Sequence, residues 1–331
     1  MTQPIMDRPS TLAFFRKLFD DTYEVGRPLL PPRRILHWID MARAFGVDNL
    51  ALHDRPTWVF GGYFFNTSSP VPSPETLELE LERGRAFGAE QFLVPTVRDE
   101  SDCASMRSLN FRPYPWFVEA IYEVRDGVDR DLQDHVGRRR HKNITTLWDR
   151  ANMDYIVIKC LGSELRLRPG LLDQAAELHG RNIEKYGHEI NFFDAEKLRT
   201  LLDSPLGDYL LICLRSDKKS GVAVQASISL VDSDSSEMYQ LVQGIDHSLV
   251  RPGHNLYIAD TYELYRYAED CGIKTINLGR GDAAGKRRLG ANRFNLLNNW
   301  LLASEANDSS ELLQLEARCA TVRELLLALD Y

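Results

Sequence analysis

Residues Leu210–Leu230 read LLICLRSDKKSGVAVQASISL, two strand-like runs joined by the polar turn Asp217-Lys218-Lys219-Ser220-Gly221. In the second run Val222, Val224, Ala226, Ile228 and Leu230 alternate with small or polar residues. That period of two predicts a strand with one buried face. A second polar turn, Asp232–Ser236, leads into Glu237–Val242, so Tyr209–Leu214, Val222–Leu230 and Glu237–Val242 form an expected antiparallel meander. The order then changes. Pro252-Gly253-His254-Asn255 precedes an amphipathic helix, Asn255–Asp270, which Gly272 ends, and Lys274–Leu278 and Asn295–Leu302 follow as strands. A meander, then a helix and a strand, describes an α/β sheet that changes direction in its middle.

Upstream of the meander the chain alternates helical and strand-like runs. Residues 10–20 and 33–45 carry helical apolar spacing, and Thr57–Phe65 (TWVFGGYFF) is aromatic and strand-like. Pro70, Pro72 and Pro74 mark a loop, with Ser73 placed to cap a helix over Glu75–Phe87. A strand at Gln91–Val94, a helix near Asp102–Leu109 and a strand at Trp116–Val124 follow. The polar, basic helix Asp131–Ala151 and the strand Tyr155–Lys159 open a second unit, with helices expected at Gly170–Tyr186 and Asp194–Leu202. A last leucine-rich helix is expected from about Ser309 to Leu329, with Asp308 and Glu311 as its capping box.

The chain has 331 residues, more than one hydrophobic core usually holds, and the expected division is 1–127 and 128–331. Acidic residues outnumber basic ones, 48 to 40, which weighs against a dedicated nucleic-acid binder. The five cysteines lie far apart without a Cys-x-x-Cys pair, so reduced, buried thiols are expected, Cys213 and Cys271 included. The eight histidines show no i, i+4 pairing of a metal site, and no metal is expected. Met1–Ser10 lacks the basic start and apolar stretch of a signal peptide, and no apolar run approaches the ~20 residues of a membrane span. A cytoplasmic location is the expectation.

Four segments together resemble the GNAT acetyltransferase superfamily, and within it the FemAB and BioF2 (CelD)-like branch. They are GRRRHKNITTLWDRANMDYIVIK (Gly137–Lys159), the meander opening at Leu210, QGIDHSLVRPGHNLYIADTYELYRYAEDCGI (Gln243–Ile273) and INLGRGDAAGKRRLG (Ile276–Gly290). The resemblance is carried mainly by 131–302; only the general element order extends into the first half. It implies tandem GNAT-like (acyl-CoA N-acyltransferase) domains of α/β (α+β) class, with mixed central sheets flanked by helices. The first domain is then the degenerate one and the second the catalytic one. The branch moves acyl or aminoacyl groups onto amines, from acyl-CoA in some members and aminoacyl-tRNA in others. Two departures stand out. Gly285 occupies the place where relatives often carry Tyr before Lys, and Ser248–Gly253 lacks the glycine-rich signature of CoA-binding members.

The candidate residues fall into two clusters. Arg251, Gly253 and Asn255 stand at a helix start, where unpaired N–H groups and the helix dipole attract an anion such as a pyrophosphate. His254 in the same turn is the first choice of general base for an ammonium proton, ahead of His247, Asp246 and Glu237. In the late loop Gly279–Arg288, Lys286 is placed to steady an oxyanion or phosphate, Asp282 to orient an amine, and Arg287 to hold the donor. Tyr239, Arg280 and Gly281 are acceptor-side candidates, and Tyr239 or Tyr257 a proton donor to the leaving group. The glycines of this loop do not fit a dinucleotide fingerprint, because Gly-x-Gly-x-x-x-Gly is mis-spaced and no apolar helix follows. Of the run Arg138–Lys142, only one or two side chains can face a ligand, since consecutive positions circle a helix.

The expected function is an N-acyltransferase with no bound cofactor. Acyl-CoA or aminoacyl-tRNA serves as donor substrate and a small molecule or peptide as acceptor, and transfer is direct, without a covalent enzyme intermediate. A tRNA partner and a homodimer stay open. The alternative from another class is a non-catalytic GNAT-pair binding or scaffold protein.

Overall fold

The computed structural model describes residues 5–18, 56–60, 71–98, 103–185, 191–280, 282–303 and 320. The chain divides into two compact units: Met1–Ile5 with Ala120–Arg293, and Met6–Glu119 with Phe294–Tyr331. The boundary therefore falls at Ala120, and the late strand belongs to the unit built from the N-terminal half. The expected helix at 33–45, that at 309–329 apart from residue 320, and residues 61–65 of the expected first strand lie outside the described residues.

In the unit built from the N-terminal half, helix Pro9–Leu18 matches the helical spacing of its sequence. Thr57–Val59 pairs in parallel with Gln91–Leu93. Gln91–Arg98, longer than expected, pairs antiparallel with the late strand, from Gln91↔Ala303 to Arg98↔Leu297. That pairing explains why the late strand sits with this unit. Helix Pro74–Ala86 begins as expected, with Ser73 Oγ accepting from Thr76 N–H at 3.2 Å and proline in the first turn. The core gathers Trp58, Phe60, Leu77, Leu81, Phe92, Val97, Met106, Phe111 and Trp300.

The second unit carries the elements of interest. Strand β1 is Arg112–Glu123, whose end from Ala120 onward belongs here. Helices α1 (Val128–Val136) and α2 (Arg138–Asp154) follow. The sequence pointed to a single helix over Asp131–Ala151; the structure breaks it at Gly137, whose φ of 81° is a left-handed conformation that glycine adopts freely. Strand β2 (Tyr155–Leu161), a short turn of helix at Ser163–Arg166, then α3 (Pro169–Lys185) and α4 (Ala195–Asp203) come next. The meander is β3 (Leu210–Asp217), β4 (Ala223–Asp232) and β5 (Glu237–Ile245), each running two or three residues past the expected C-terminal end of its apolar run. Helix α5 (Leu256–Asp270), strand β6 (Thr275–Asn277) and helix α6 (Ala283–Arg288) close the unit.

The strand order is β1-β6-β5-β4-β3-β2, a mixed sheet flanked by helices. All neighbours are antiparallel except β5 and β6, which run parallel and pair only over Glu237–Tyr239. From Gln240 onward β5 continues without β6 beside it, so the change of direction expected from sequence is a divergence of two strands. One sheet face packs on α3, close enough that a Cβ on Gly244 would lie 2.5 Å from backbone atoms of Leu178 and His179. The opposite face receives α2 and α5, through contacts such as Ala151, Tyr155, Val224, Leu256 and Ala259.

Candidate active site

The face beneath α5 is polar where the alternation suggested solvent. Strand register places Lys159, Cys213, Ser227 and Gln243 in one row across β2 to β5, and Val157, Arg215, Gln225 and Ile245 in the next. Directly opposed residues share a face, so both rows look toward α5. Gln225, Ser227 and Ser229 are buried, whereas Val222, expected inside, is exposed. The correction has a physical cause: α2 and α5 cover the polar side of the sheet, so period-two alternation marks two buried faces of different chemistry.

Helix α5 answers this face with Asp260 and Glu263. Gln243 Nε2 donates to Asp260 Oδ2 at 2.6 Å, and Lys159 Nζ donates to Glu263 Oε1 at 2.7 Å. Trp148 Nε1 of α2 also donates to Glu263. Burial pushes the Asp260 carboxyl up to about 6 against the opposing pull of Arg215. Burial also works against ionised Glu263, but the bonds from Lys159 and Trp148 outweigh it and hold its carboxyl below the usual value. Arg215 donates from Nη1 to Asn152 Oδ1 at 2.9 Å. Burial pushes its guanidinium below the usual value, while Asp260 and Glu263 pull the other way.

The turn before α5 is braced from within the protein. Arg251 donates to Asp154 Oδ1 at 2.6 Å and to Asp217, and its N–H donates to Tyr155 Oη at 2.9 Å. Asp217 is held at about 2, chiefly by N–H bonds from the turn at Ser220 and Lys219, with Arg251 adding to them. His254 Nδ1 lies 3.2 Å from Arg251 O, and Nε2 lies 3.0 Å from Asp154 Oδ2, an ion-pair approach. Its ring stands edge-on to Tyr155. Gly253 turns with φ of 80° and its carbonyl accepts from Arg150 Nη1 at 2.8 Å. Asn255 caps α5, its Oδ1 accepting from Ile258 N–H at 3.2 Å. Of the other base candidates, Asp246 pairs with Arg181 and Ser248, His247 is exposed, and Glu237 accepts from Tyr239 Oη.

The late segment was read as a loop; part of it is the short helix α6. Asp282, itself at φ of 41°, caps that helix through Oδ1 and Gly285 N–H at 3.0 Å. Lys286 is buried and its Nζ donates to Arg280 O at 2.6 Å. Gly279 N–H donates to Asn277 Oδ1 at 2.8 Å, which shapes the exit from β6. Arg287 is exposed, and Gly281 lies outside the described residues. In the basic run of α2, Arg138, Arg139 and Lys142 are exposed, His141 contacts Asp129 at 2.9 Å, and Arg140 Nε donates to Arg288 O at 3.2 Å.

Tyr257, on the first turn of α5, ties these clusters together. Burial, then the negative charges of Asp282 and Asp260, push its phenol up to about 12. Asp282 of the late segment and buried Asp260 thus both lie within electrostatic range of one hydroxyl at the start of α5. Tyr239, by contrast, is occupied at the strand pairing by Glu237. Cys213 is buried and its thiol is pushed well up by burial, as expected for an inert group; Cys271, expected buried, is exposed. The reason is its place just past the end of α5, at the turn closed by Gly272.

The sequence reading missed Arg215, Asp260, Glu263 and Gln243. Their signal was present as charge inside apolar runs: Arg215 in LLICLRS, and Asp260 and Glu263 on the apolar stripe of LYIADTYELY. Among the described residues, no group of three or more His, Cys, Asp or Glu is placed to hold a metal ion. No helix among them is long and apolar enough to cross a membrane.

No family model matches the chain. Among solved structures, it is similar to the C-terminal domain (DUF2156) of an Agrobacterium fabrum protein assigned as a lysylphosphatidylglycerol synthetase. That match has 11% identity, covers 75% of this chain and 77% of that one, and has a TM-score of 0.53. It is similar also to L-PGS from Bacillus licheniformis, at 12% identity over 95% of this chain and 97% of that one, TM-score 0.53. A tandem GNAT protein from the clavulanic acid biosynthesis pathway matches at 11% identity over 71% and 69%, with a TM-score of 0.43. At these identities the likeness of the first two concerns the fold alone, a mixed sheet flanked by helices of the kind the segment order pointed to.

Proposed function

We propose that the chain is an N-acyltransferase. It moves an acyl or aminoacyl group from an activated donor, acyl-CoA or aminoacyl-tRNA, directly onto an amine of a small-molecule or peptide acceptor. The observation that carries this reading is the buried polar face beneath α5, where Gln243 of β5 donates to Asp260 at 2.6 Å along the stretch of β5 that has parted from β6.

The chemistry follows from what those groups supply. An acceptor amine must lose a proton before its lone pair attacks the acyl carbon. Asp260, with its carboxyl near 6, is suited to take that proton, whereas both ring nitrogens of His254 are directed at the protein's own groups. The new C–N bond forms as the bond from the acyl carbon to the donor's sulfur or ribose oxygen breaks. The leaving group departs with a proton, for which the Tyr257 phenol, kept protonated, is the donor. Lys286 and the backbone at the start of α5 are the groups suited to the oxyanion and the donor's phosphates. Arg251 and His254 act by fixing the turn that presents that backbone. The FemAB and BioF2-like branch remains the reading of the sequence motifs.

The test is turnover with purified protein and a panel of acyl-CoA and aminoacyl-tRNA donors, with products read by mass spectrometry. Tyr257→Phe should lower kcat about tenfold to a thousandfold with little change in KM. Absence of turnover with every donor class would favour the scaffold reading. Donor affinity that falls steeply with salt selects tRNA over CoA.

A further inference from the structure

The buried guanidinium of Arg215 has one edge without a hydrogen-bond partner. Its side chain is 1% exposed, and only Nη1 has a hydrogen-bond partner, the amide oxygen of Asn152. Nε and Nη2 are buried and unpaired, and no carboxylate lies within ion-pair distance of it among the described residues. An arginine taken out of water with no carboxylate at hydrogen-bonding distance is unfavourable, even with the charges of Asp260 and Glu263 acting on it from farther off. Nε and Nη2 are the two donors along one side of the planar fork, the pair that grips a carboxylate through two parallel hydrogen bonds. In register beside it, Gln225 Oε1 is also buried without a partner, while Gln225 Nε2 is fixed on Leu256 O at 3.0 Å.

Its place in the sheet fits a ligand rather than a core ion. Arg215 stands in register with Gln225, which stands opposite Ile245 at the far end of β5, beyond the pairing with β6. The neighbouring acids are engaged elsewhere, Glu263 by Lys159 and Trp148 and Asp260 by Gln243. The Asn152 contact pins the third corner of the fork and so fixes the orientation of the unpaired edge.

We propose that Arg215 is a recognition residue for a carboxylate on one of the two substrates. This deepens the acyltransferase reading and rests on it for the word substrate. A carboxylate beside an amine identifies an amino-acid acceptor; a carboxylate at the end of an acyl chain identifies a dicarboxylic donor group. The chemistry is shared, and the probes separate the sources.

The experiment is calorimetric titration of the full chain, without any donor, using L-alanine, succinate and the corresponding amides, alaninamide (which keeps the ammonium and loses only the carboxylate) and succinamide. At least one carboxylate should bind, with its amide weaker by about tenfold or more. L-alanine binding points to the acceptor and succinate binding to the donor. Arg215→Gln should remove that binding. Asn152→Asp keeps an oxygen on Nη1 and supplies a carboxylate in cis, so it should also weaken binding about tenfold while the fold is retained. If Arg215→Gln fails to fold, the Asn152→Asp titration decides alone. Equal binding by wild type and the folded variants, or no carboxylate binding tighter than about 10 mM, overturns the proposal. Turnover onto neutral amines without carboxylate binding would sink this inference alone; carboxylate binding with no turnover on any donor would sink only the acyltransferase reading.

Discussion

A Cβ placed on Gly285 would lie 1.9 Å from Oδ2 of Asp282. The carboxylate of Asp282 fills the space beside Gly285 because it caps α6 through the Gly285 N–H. The glycine at this position therefore has a local cause: this chain turns into α6 with an aspartate, and the capping carboxylate occupies the space a side chain three residues on would need. Gly285→Ala should displace the cap and cost about 1–2 kcal/mol, as should Asp282→Ala. Because both remove one interaction, the double variant should cost little more than either single one. Denaturant melts of the four proteins check this, and full additivity would show that the two residues do not share the cap.

Asp260 ties stability to pH. Its carboxyl binds a proton more tightly in the folded protein, at about 6, than at its ordinary 3.8, because burial penalises the ionised form. Folding is thus favoured by protonation, and this contribution is full below about pH 4 and lost as pH rises through 6. The groups facing it are Arg215 on β3, Ser227 on β4, Gln243 on β5 and Glu263 on its own helix. Asp260→Asn keeps a side-chain oxygen for Gln243 and removes the titration. The stability difference between variant and wild type should move in favour of the variant by about 3 kcal/mol from pH 4 to pH 7.5. Urea melts across that range measure it; a constant difference would place the Asp260 titration elsewhere.

How much of this was legible in advance depends on what set each feature. The meander, its turns and α5 follow from local patterns, as Asn255 and Gly272 at the helix ends illustrate. The break at Gly137 was not read, because one glycine in a polar helical run is tolerated as often as it interrupts. Burial of Gln225, Ser227 and Ser229 was not legible, since alternation cannot reveal whether helices cover the polar side. Arg251 was read as a donor-binding charge ahead of the helix; Asp154 and Asp217, which engage it, come from other elements and only tertiary structure brings them there.

Gly137 and Gly244 separate two reasons for glycine. At Gly137 a Cβ would meet nothing within 4 Å, so Gly137→Ala should cost only backbone strain at φ of 81° and ψ of 156°, a region essentially restricted to glycine, about 1–3 kcal/mol. A d-alanine introduced there by semisynthesis should restore stability, because its preferred φ is positive.

At Gly244 the obstacle is matter. The added Cβ would press on Leu178 O, Leu178 C and His179 N at 2.5 Å, and these are backbone atoms of α3 that no side-chain rotation can move. Either α3 shifts off the sheet or β5 bows toward α5, and β5 carries Gln243, the partner of Asp260, one residue earlier. Gly244→Ala should therefore destabilise by about 1–3 kcal/mol. It should also weaken the Gln243–Asp260 bond. That bond favours the ionised acid, so the folded-state value of Asp260 should rise and the pH midpoint of the stability curve with it. Thermal melts at pH 4 and pH 7.5 give both readings at once. A loss of stability equal at the two pH values would mean that α3 alone yields and the polar face beneath α5 is undisturbed.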